Sequence, residues 1–418
     1  MATLLQPSTR WNEPLLQDLR LLTDPAADQV IDDIIEGDLE FGINELFNSL
    51  VTNNDPIPKG MPEIVAEYFR STQTLPEWFD LKKIKIAQEI YADFGPQANL
   101  VLFCKSLPTC YACSKGAQVM HATGRMSQHG QSMAKFTRRI METAQFILNV
   151  QEPEGFSDNG RAIKSMQKVR LIHSTIRYHL NKVPWDSETL GAPINQEDLL
   201  GTMLSMSFQI AEGLEELGIK LTSEQKDAYA HLGSVLGFMM GIKEEVLPHT
   251  YEEAKECTAA ILNHQVEASP AGTELTQACM DFMADIIPGK KFDEIPYIYT
   301  RHLIGDELAD LLQVKKDYSS IGEWLVMKQM KLLNHVEDKI TDKSILLDKI
   351  TEKVNKALLE GMINFFNDDK QVHFYIPPSL KDNWKRVDVW KNTWTSFEFL
   401  NMRLAIQTEH SNIVDSIE

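Results

Sequence analysis

Apolar residues recur every three to four positions along most of the chain, a spacing typical of α-helices that bury one face. We therefore predict an all-α protein. Predicted helices cover residues 25–50, 61–69, 81–94, 126–150, 161–182, 195–217, 222–240, 251–264, 273–287, 296–312 and 321–367.

Gly, Pro and Asn residues separate these periodic stretches. Gly95-Pro96 is predicted to end the helix 81–94, and Asn195 is predicted to cap the helix that follows it. The best candidate for an extended segment is residues 373–380. Three tryptophans are predicted to dock the C-terminal tail on the body: Trp384, Trp390 and Trp394.

The helix 126–150 carries one face that is apolar except for a single position. Thr143 is that polar exception, and Arg139 and Glu142 stand at the edge of the face. A short turn leads to the next long helix, and two long helices joined in this way should pack antiparallel. Thr143 could then face His173 across a gap.

His173 lies within an apolar stripe of the helix 161–182, with Arg170 three residues before it and Arg177 four residues after it. The stripe consists of Val169, Ile172, Ile176 and Leu180. An imidazole between two arginines would suit a haem, because imidazole bonds axially to iron and guanidinium pairs bidentately with a propionate. The alternative is a satisfied core histidine between two surface arginines, and the spacing leaves both interpretations open.

Composition narrows the class of partner. The chain has 418 residues, 43% of them hydrophobic, and a formal net charge of −19, which argues against nucleic acid or an anionic membrane surface as the main partner. We find no signal-peptide pattern and no apolar run long enough for a transmembrane helix. Five cysteines fit a reducing compartment, and we expect a cytoplasmic location.

Several kinds of chemistry have no anchor in the sequence. We find no GxGxxG, P-loop lysine, GxSxG or HExxH motif, and no Glu-x-x-His pair of the kind that di-iron bundles use. Cys110 and Cys113 form a single CxxC without the second pair that a zinc site needs. No histidine follows Cys113, which excludes the c-type haem attachment motif. We interpret both cysteines as packing residues.

Several strings together resemble one protein family, the haem oxygenases of the latex clearing protein (rubber oxygenase) and MpaB-type group. The strings are TRRIMETAQF at 137–146, KVRLIHSTIR at 168–177, GAPINQEDLLGT at 191–202 and, more weakly, LPEWFD at 75–80 and TGR at 123–125. The resemblance extends from about residue 75 to residue 312. Its most specific part is the order and spacing of the R-x-x-E-T string and the histidine thirty residues later.

The resemblance implies a globin-like helical core that binds one b-type haem without covalent attachment. His173 matches the axial ligand of the family. Arg139 and Thr143 match residues on the distal, oxygen-binding side. Arg170 and Arg177 match the arginines around that histidine. Arg301 is a looser match to a further family arginine.

Two features depart from the rubber oxygenases. Glu142 stands where they carry a lysine. A carboxylate there could act as a base or order a distal water. Alternatively, Glu142 could simply pair with a neighbouring arginine. Those enzymes are also exported, whereas this chain shows no export signal. We therefore expect a smaller lipid or isoprenoid substrate.

The function favoured by these observations is a haem b-dependent oxygenase that uses O2 and a small hydrophobic, unsaturated substrate. Its catalytic residues would be Arg139, Glu142 and Thr143. Cleavage of a carbon–carbon double bond is the reaction that the family suggests, with hydroxylation or peroxidation open. The alternatives are a non-catalytic haem sensor or carrier and a haem-free helical scaffold.

The predicted organisation has three parts within one continuous domain. Residues 1–74 form an N-terminal helical extension, residues 75–312 the haem-binding core, and residues 313–418 C-terminal helices packed on that core. The sequence does not indicate the oligomeric state.

Overall fold

The computed structural model of the protein describes five ranges, residues 8–36, 61–123, 132–158, 160–286 and 293–316. Every regular element in these ranges is a helix, and an isolated antiparallel bridge joins Cys113 to Val266. The all-α class predicted from the hydrophobic periodicity is therefore confirmed.

Some predictions fall outside the described residues. They are the second half of the helix 25–50, the helix 321–367, the extended segment 373–380 and the docking of Trp384, Trp390 and Trp394.

The first half of the chain contains helices α1 to α8, with one π-helical stretch after α4. Their bounds are α1 Glu13–Leu19, α2 Pro25–Glu36, α3 Glu63–Ser71, α4 Leu81–Val101, the π-helix Leu102–Ser106, α5 Leu107–Ala112, α6 Ser114–Ala122, α7 Ser132–Gln151 and α8 Arg161–Asn181.

The second half continues with helices α9 to α15 and one short 3-10 turn. Their bounds are α9 Ser187–Leu190, α10 Gln196–Ser205, α11 Phe208–Glu216, α12 Ser223–Met239, the 3-10 turn Glu244–Val246, α13 Tyr251–Gln265, α14 Pro270–Ile286 and α15 Ile295–Leu311.

Side chains at the helix starts explain several of these bounds. Asn195 accepts a hydrogen bond from the backbone N–H of Asp198, as its predicted role as an N-cap of α10 requires. Thr222 and Gln225 form a reciprocal capping box at the start of α12. These contacts satisfy N–H groups that the first turn of a helix leaves without a partner.

Two predicted helices differ in continuity from the structure. Helix α4 bends at Phe94, where φ is −122° and ψ is 21°, and then resumes to Val101 instead of ending at Gly95-Pro96. A proline fits there because it stands in the first turn of the resumed helix, where its missing N–H costs little. The predicted helix 195–217 is two helices, because Ser207 between them has a φ of −130° and a ψ of −81°.

One large hydrophobic core joins elements from both ends of the described chain. It includes Trp11 and Leu19 near the N-terminus and Leu312 and Val314 at the other end. A smaller second core lies between α2, α3 and Leu171 of α8. Residues N-terminal to the predicted oxygenase core therefore share its packing.

None of the helices that the structure describes is both long and apolar enough to cross a membrane.

Candidate functional site

Helices α7 and α8 form an antiparallel pair joined by a tight connection. At Gly160 a Cβ would come within 2.1 Å of the carbonyl oxygen of Gly155, so this close approach of backbone needs a residue without a side chain. The amide nitrogen of Asn149 on α7 donates to the hydroxyl of Ser165 on α8 at 2.7 Å. This bond sets the register between the two helices.

The register brings the two halves of the predicted site to the same level. Thr143 lies six residues before Asn149, and Leu171 lies six residues after Ser165, so these two residues are level across the pair. His173 is two residues farther along α8, which is about 3 Å along the helix axis. Both Thr143 and His173 are half-buried.

Arg139, Glu142 and Thr143 interact with one another on α7. The Nη1 atom of Arg139 lies 3.6 Å from Oε2 of Glu142, so the two charges form an ion pair. The hydroxyl of Thr143 donates to the backbone carbonyl of Arg139 at 3.0 Å. Its proton is thus committed, while its oxygen retains the capacity to accept a hydrogen bond from a ligand.

The buried face of α8 differs from the predicted apolar stripe. Of the stripe residues, Leu180 is buried, whereas Val169, Ile172 and Ile176 are half-buried like His173. The residues that α8 buries are Ala162, Ile163, Met166, Gln167, Arg170, Leu171, Ser174, Arg177 and Leu180. The core face is therefore rotated from the stripe toward the two arginines, which leaves His173 at its margin.

Arg170 and Arg177 are buried because two acidic residues before and within α2 pair with them. Arg170 makes two hydrogen bonds to the carboxylate of Asp24, at 2.7 and 2.8 Å. Arg177 donates to Asp28 at 2.9 and 2.7 Å and also to the backbone carbonyl of Ile194. Burial tends to lower the pKa of Arg170, and the hydrogen bonds to Asp24 outweigh this effect and raise it.

The expectation that Arg170 and Arg177 hold haem propionates stays a prediction. In the structure Arg170 makes a bidentate pair with Asp24, and Arg177 donates twice to one oxygen of Asp28. The partners were missed because they are about 150 residues away in the chain.

Lys168, five residues before His173 on α8, lacks an anionic partner within the described residues. It is half-buried one turn after Lys164 on α8. Burial and then the repulsion of Lys164 lower its pKa to about 7. A carboxylate placed beside Lys168 would relieve both effects, and sequence analysis did not single this residue out.

Arg301 is buried in a separate network at the end of α15. It donates to Asp306 and Asp310, each at 2.6 Å, and to the carbonyl of Val314 at 2.9 Å. Gly305, with a φ of +79°, bends the helix between these partners. Through these hydrogen bonds, Arg301 holds the last turns of α15 and the residues after them against the first part of the helix.

A largely apolar pocket lies among α4, α7, α11 and α12. Its enclosed space is about 30 Å³, and the pocket opens to solvent. Its walls include Phe146 and Ile147, which stand one turn after Thr143 on α7, and Leu232 and Leu236 of α12. The pocket therefore continues along α7 from the level of Thr143.

Two polar groups in the pocket walls make no hydrogen bond to any residue that the structure describes. They are the hydroxyl of Tyr229 and the side-chain oxygen of Gln151. Tyr229 is 1% exposed and Gln151 is 6% exposed, so neither atom is satisfied by bulk solvent. Nearby in the wall, the hydroxyl of Tyr91 donates to the side-chain oxygen of Asn99 at 3.2 Å. Sequence analysis missed these residues because they come from three separate helices.

No three His, Cys, Asp or Glu side chains come together as metal ligands in the part of the chain that the structure describes. Cys110 and Cys113 are both half-buried free thiols, and burial raises the pKa of Cys110 to about 11.

The comparison with family models gives one match. Residues 101–334, more than half of the chain, match the family described as ER-bound oxygenase mpaB/B'/Rubber oxygenase, catalytic domain. The matched range contains α7, α8 and most of the pocket walls.

A curated protein and a solved structure are also similar. The rubber oxygenase of Streptomyces sp. (strain K30) is 23% identical over 304 residues, which is 72% of each chain. The structure of latex clearing protein in the closed state superposes with a TM-score of 0.68 at 21% identity and covers 82% of this chain and 91% of that chain. At this identity the superposition shows a shared helical fold.

Proposed function

The chain belongs to the family of ER-bound oxygenase MpaB/B' and rubber oxygenase catalytic domains and is an oxygenase, and we propose that it is a haem b-dependent one that oxidises a small unsaturated apolar substrate with O2. Oxidative cleavage of a carbon–carbon double bond is the reaction that we favour. The proposal rests chiefly on one observation, the placement of His173 and Thr143 at the same level of two antiparallel helices.

The residues around His173 are chemically suited to a haem. His173 offers an imidazole at the margin of the buried face of α8, and Lys168 offers a half-buried cation without an anionic partner in the described residues. In this proposal His173 would bond to the haem iron and Lys168 would pair with a propionate. When bound, the haem iron would supply the site at which O2 is activated.

Arg170, Arg177 and Arg301 take a different role in this proposal from the one that the resemblance implied. Arg170 and Arg177 fix α8 against α2 through Asp24 and Asp28, so they orient the helix that carries His173. Arg301 holds the end of α15. We therefore assign all three as positioning residues.

Arg139, Glu142 and Thr143 would act on the oxygen side. The ion pair of Arg139 and Glu142 places a positive and a negative group next to each other at a half-exposed position. The guanidinium can stabilise negative charge that develops on oxygen, and the carboxylate can accept a proton from the substrate or from an ordered water. Thr143 can accept a hydrogen bond from that water.

The first test is the absorption spectrum of the purified protein, as isolated and after reduction with dithionite under carbon monoxide. We expect a Soret band that shifts with carbon monoxide, because one axial position must be open for O2. His173→Ala should abolish or strongly shift this band.

His179→Ala is the matched control, since His179 lies on the same helix but is exposed. Its spectrum should equal that of the wild type. An unchanged band in His173→Ala would contradict the ligand assignment, and a spectrum without a haem band even after addition of haemin would overturn the proposal as a whole.

A further inference from the structure

The pocket beside Thr143 combines apolar walls with one unused donor and one unused acceptor. The Tyr229 hydroxyl and the Gln151 side-chain oxygen are both buried and both without a partner. A buried polar group left in this state costs on the order of 1–3 kcal/mol, so such groups in a folded protein call for an explanation. A ligand that satisfies both would provide one.

The two orphan groups differ in what they accept as a partner. A phenol hydroxyl can donate to any ligand oxygen, whereas the amide oxygen of a glutamine can only accept. A hydrocarbon would satisfy neither group. A carbonyl oxygen would satisfy Tyr229 alone, and an alcohol would satisfy both because it accepts one hydrogen bond and donates another.

The hydroxyl of Tyr91, the other tyrosine in the pocket wall, already donates its hydrogen bond within the protein. The acceptor is the side-chain oxygen of Asn99. The phenols of Tyr91 and Tyr229 are close enough that, after burial, the charge of Tyr91 further raises the pKa of Tyr229. Both therefore stay protonated at neutral pH, and Tyr229 stays a hydrogen-bond donor.

The backbone is irregular on two sides of the pocket. Leu102 in the wall begins the π-helix Leu102–Ser106, and Met206 in the wall immediately precedes the break at Ser207. Single π-helical turns are rare and occur frequently at functional sites. Here the π-helix begins at one wall of the pocket, and the break at Ser207 lies beside another.

From these observations we infer that the pocket binds the hydroxyl end of an unsaturated apolar alcohol. The Tyr229 hydroxyl would donate a hydrogen bond to the alcohol oxygen, and the Gln151 side-chain oxygen would accept one from the alcohol hydroxyl. The apolar body would extend past Phe146 and Ile147 toward Thr143, one turn away on α7. This inference rests on the proposed function in so far as the bound alcohol is the substrate of the oxygenase. It narrows the substrate class from hydrocarbons to alcohols.

The test uses three small isoprenoids that share a carbon skeleton and differ at one carbon. Perillyl alcohol, perillaldehyde and limonene carry a hydroxymethyl, a formyl and a methyl group there. Dissociation constants are measured by titration calorimetry on the full chain. We expect the alcohol to bind about tenfold more tightly than the aldehyde, and the aldehyde about tenfold more tightly than limonene, one hydrogen bond per step.

Two variants separate the two contacts. Tyr229→Phe should weaken binding of the alcohol and the aldehyde about tenfold and leave limonene unchanged. Gln151→Met should weaken binding of the alcohol alone. Tyr299→Phe is the matched control, because the hydroxyl of Tyr299 is also buried without a partner but lies outside the pocket walls.

Equal affinities for the three ligands, or an equal effect of Tyr229→Phe and Tyr299→Phe, would overturn the inference. The binding measurement needs no haem, so a negative result can be distinguished from a failure of the proposed function. Selective alcohol binding without a haem spectrum would support the alcohol site and contradict the haem-dependent oxygenase. A haem spectrum without selective alcohol binding would support the haem-dependent oxygenase and contradict the alcohol site.

Discussion

His173 shows how the chemistry of a single residue depends on a contact that the sequence does not display. Its position between apolar neighbours and two arginines was compatible with a haem ligand or with a core histidine. In the structure, Arg170 and Arg177 pair with Asp24 and Asp28. Lys168 on the same helix has no anionic partner among the described residues, and burial lowers its pKa to about 7.

Lys168 provides the residue-scale prediction. Because its pKa in the folded protein is about 7 and its ordinary value is 10.5, the unfolded chain binds more protons between these values. The free energy of unfolding should therefore rise with pH across the window from about 7 to 10.5. Lys168→Met should remove this dependence and, at pH 7, stabilise the haem-free protein by about 1–2 kcal/mol in urea unfolding.

The same substitution should have the opposite effect on cofactor binding. If Lys168 pairs with a propionate, Lys168→Met should weaken haemin affinity about tenfold in a titration followed at the Soret band. Lys182→Met, an exposed lysine at the end of the same helix, should leave haemin affinity unchanged. Stabilisation without any loss of haemin affinity would contradict the propionate assignment while leaving the burial argument intact.

At the scale of elements, α8 is held from two sides. On one side, Asn149 and Ser165 fix its register against α7, and on the other Asp24 pairs with Arg170 before α2. Nine-tenths of the Arg170 side chain is buried in this contact. The position of His173 thus depends on α2, which precedes the stretch where the sequence resemblance begins.

The buried pair gives the prediction for these elements. Arg170→Met leaves the Asp24 carboxylate buried without a counter-charge, and the free energy of unfolding should fall by about 3–5 kcal/mol in urea titrations. The exposed pair of Lys182 and Glu36 joins the same two helices, so Lys182→Met is a matched control. Its urea midpoint should be nearly that of the wild type.

A comparable loss in both variants would contradict the burial argument, because an exposed pair in water should contribute little. An undiminished stability in Arg170→Met would show that the Asp24 carboxylate finds another partner in the variant.

On the scale of the whole molecule, the described chain packs as one unit. Trp11 is 2% exposed in the main core, and its indole nitrogen donates to the carbonyl of Val246 at 2.9 Å. Of the predicted N-terminal extension, α1 shares the main core with the helices of the site, and α2 and α3 form the smaller second core with Leu171 of α8. We propose that residues 1–74 and 75–312 fold as one continuous domain.

Trp11→Ala tests this unity. The loss of a fully buried indole should lower the free energy of unfolding by about 3–5 kcal/mol. It should do so in a single transition seen equally by far-UV circular dichroism and by the haem absorbance. Leu21→Ala removes a side chain that is 61% exposed in the same N-terminal segment, and it should cost no more than about 0.5 kcal/mol.

Two separate transitions in the Trp11→Ala variant would contradict a single cooperative domain. In that case the N-terminal segment would unfold on its own while the haem band persisted.

The sequence by itself determined the helical class and most helix limits, and it supplied His173 and Thr143 as candidates for the site. Helical periodicity and capping are local properties, so they could be read from neighbouring positions, as at Asn195 and Thr222. The antiparallel pairing of α7 and α8 followed from a short connection. The similar level of His173 and Thr143 on the two helices could therefore be expected from the sequence.

The tertiary structure alone decided which charges pair and where empty space remains. The partners of Arg170 and Arg177 lie about 150 residues away, and the orphan groups of Tyr229 and Gln151 meet in one pocket only after α7 and α12 pack. Burial, the pKa of Lys168 and an unsatisfied hydroxyl all depend on what surrounds a side chain in space. Sequence spacing along one helix contains no information about those neighbours.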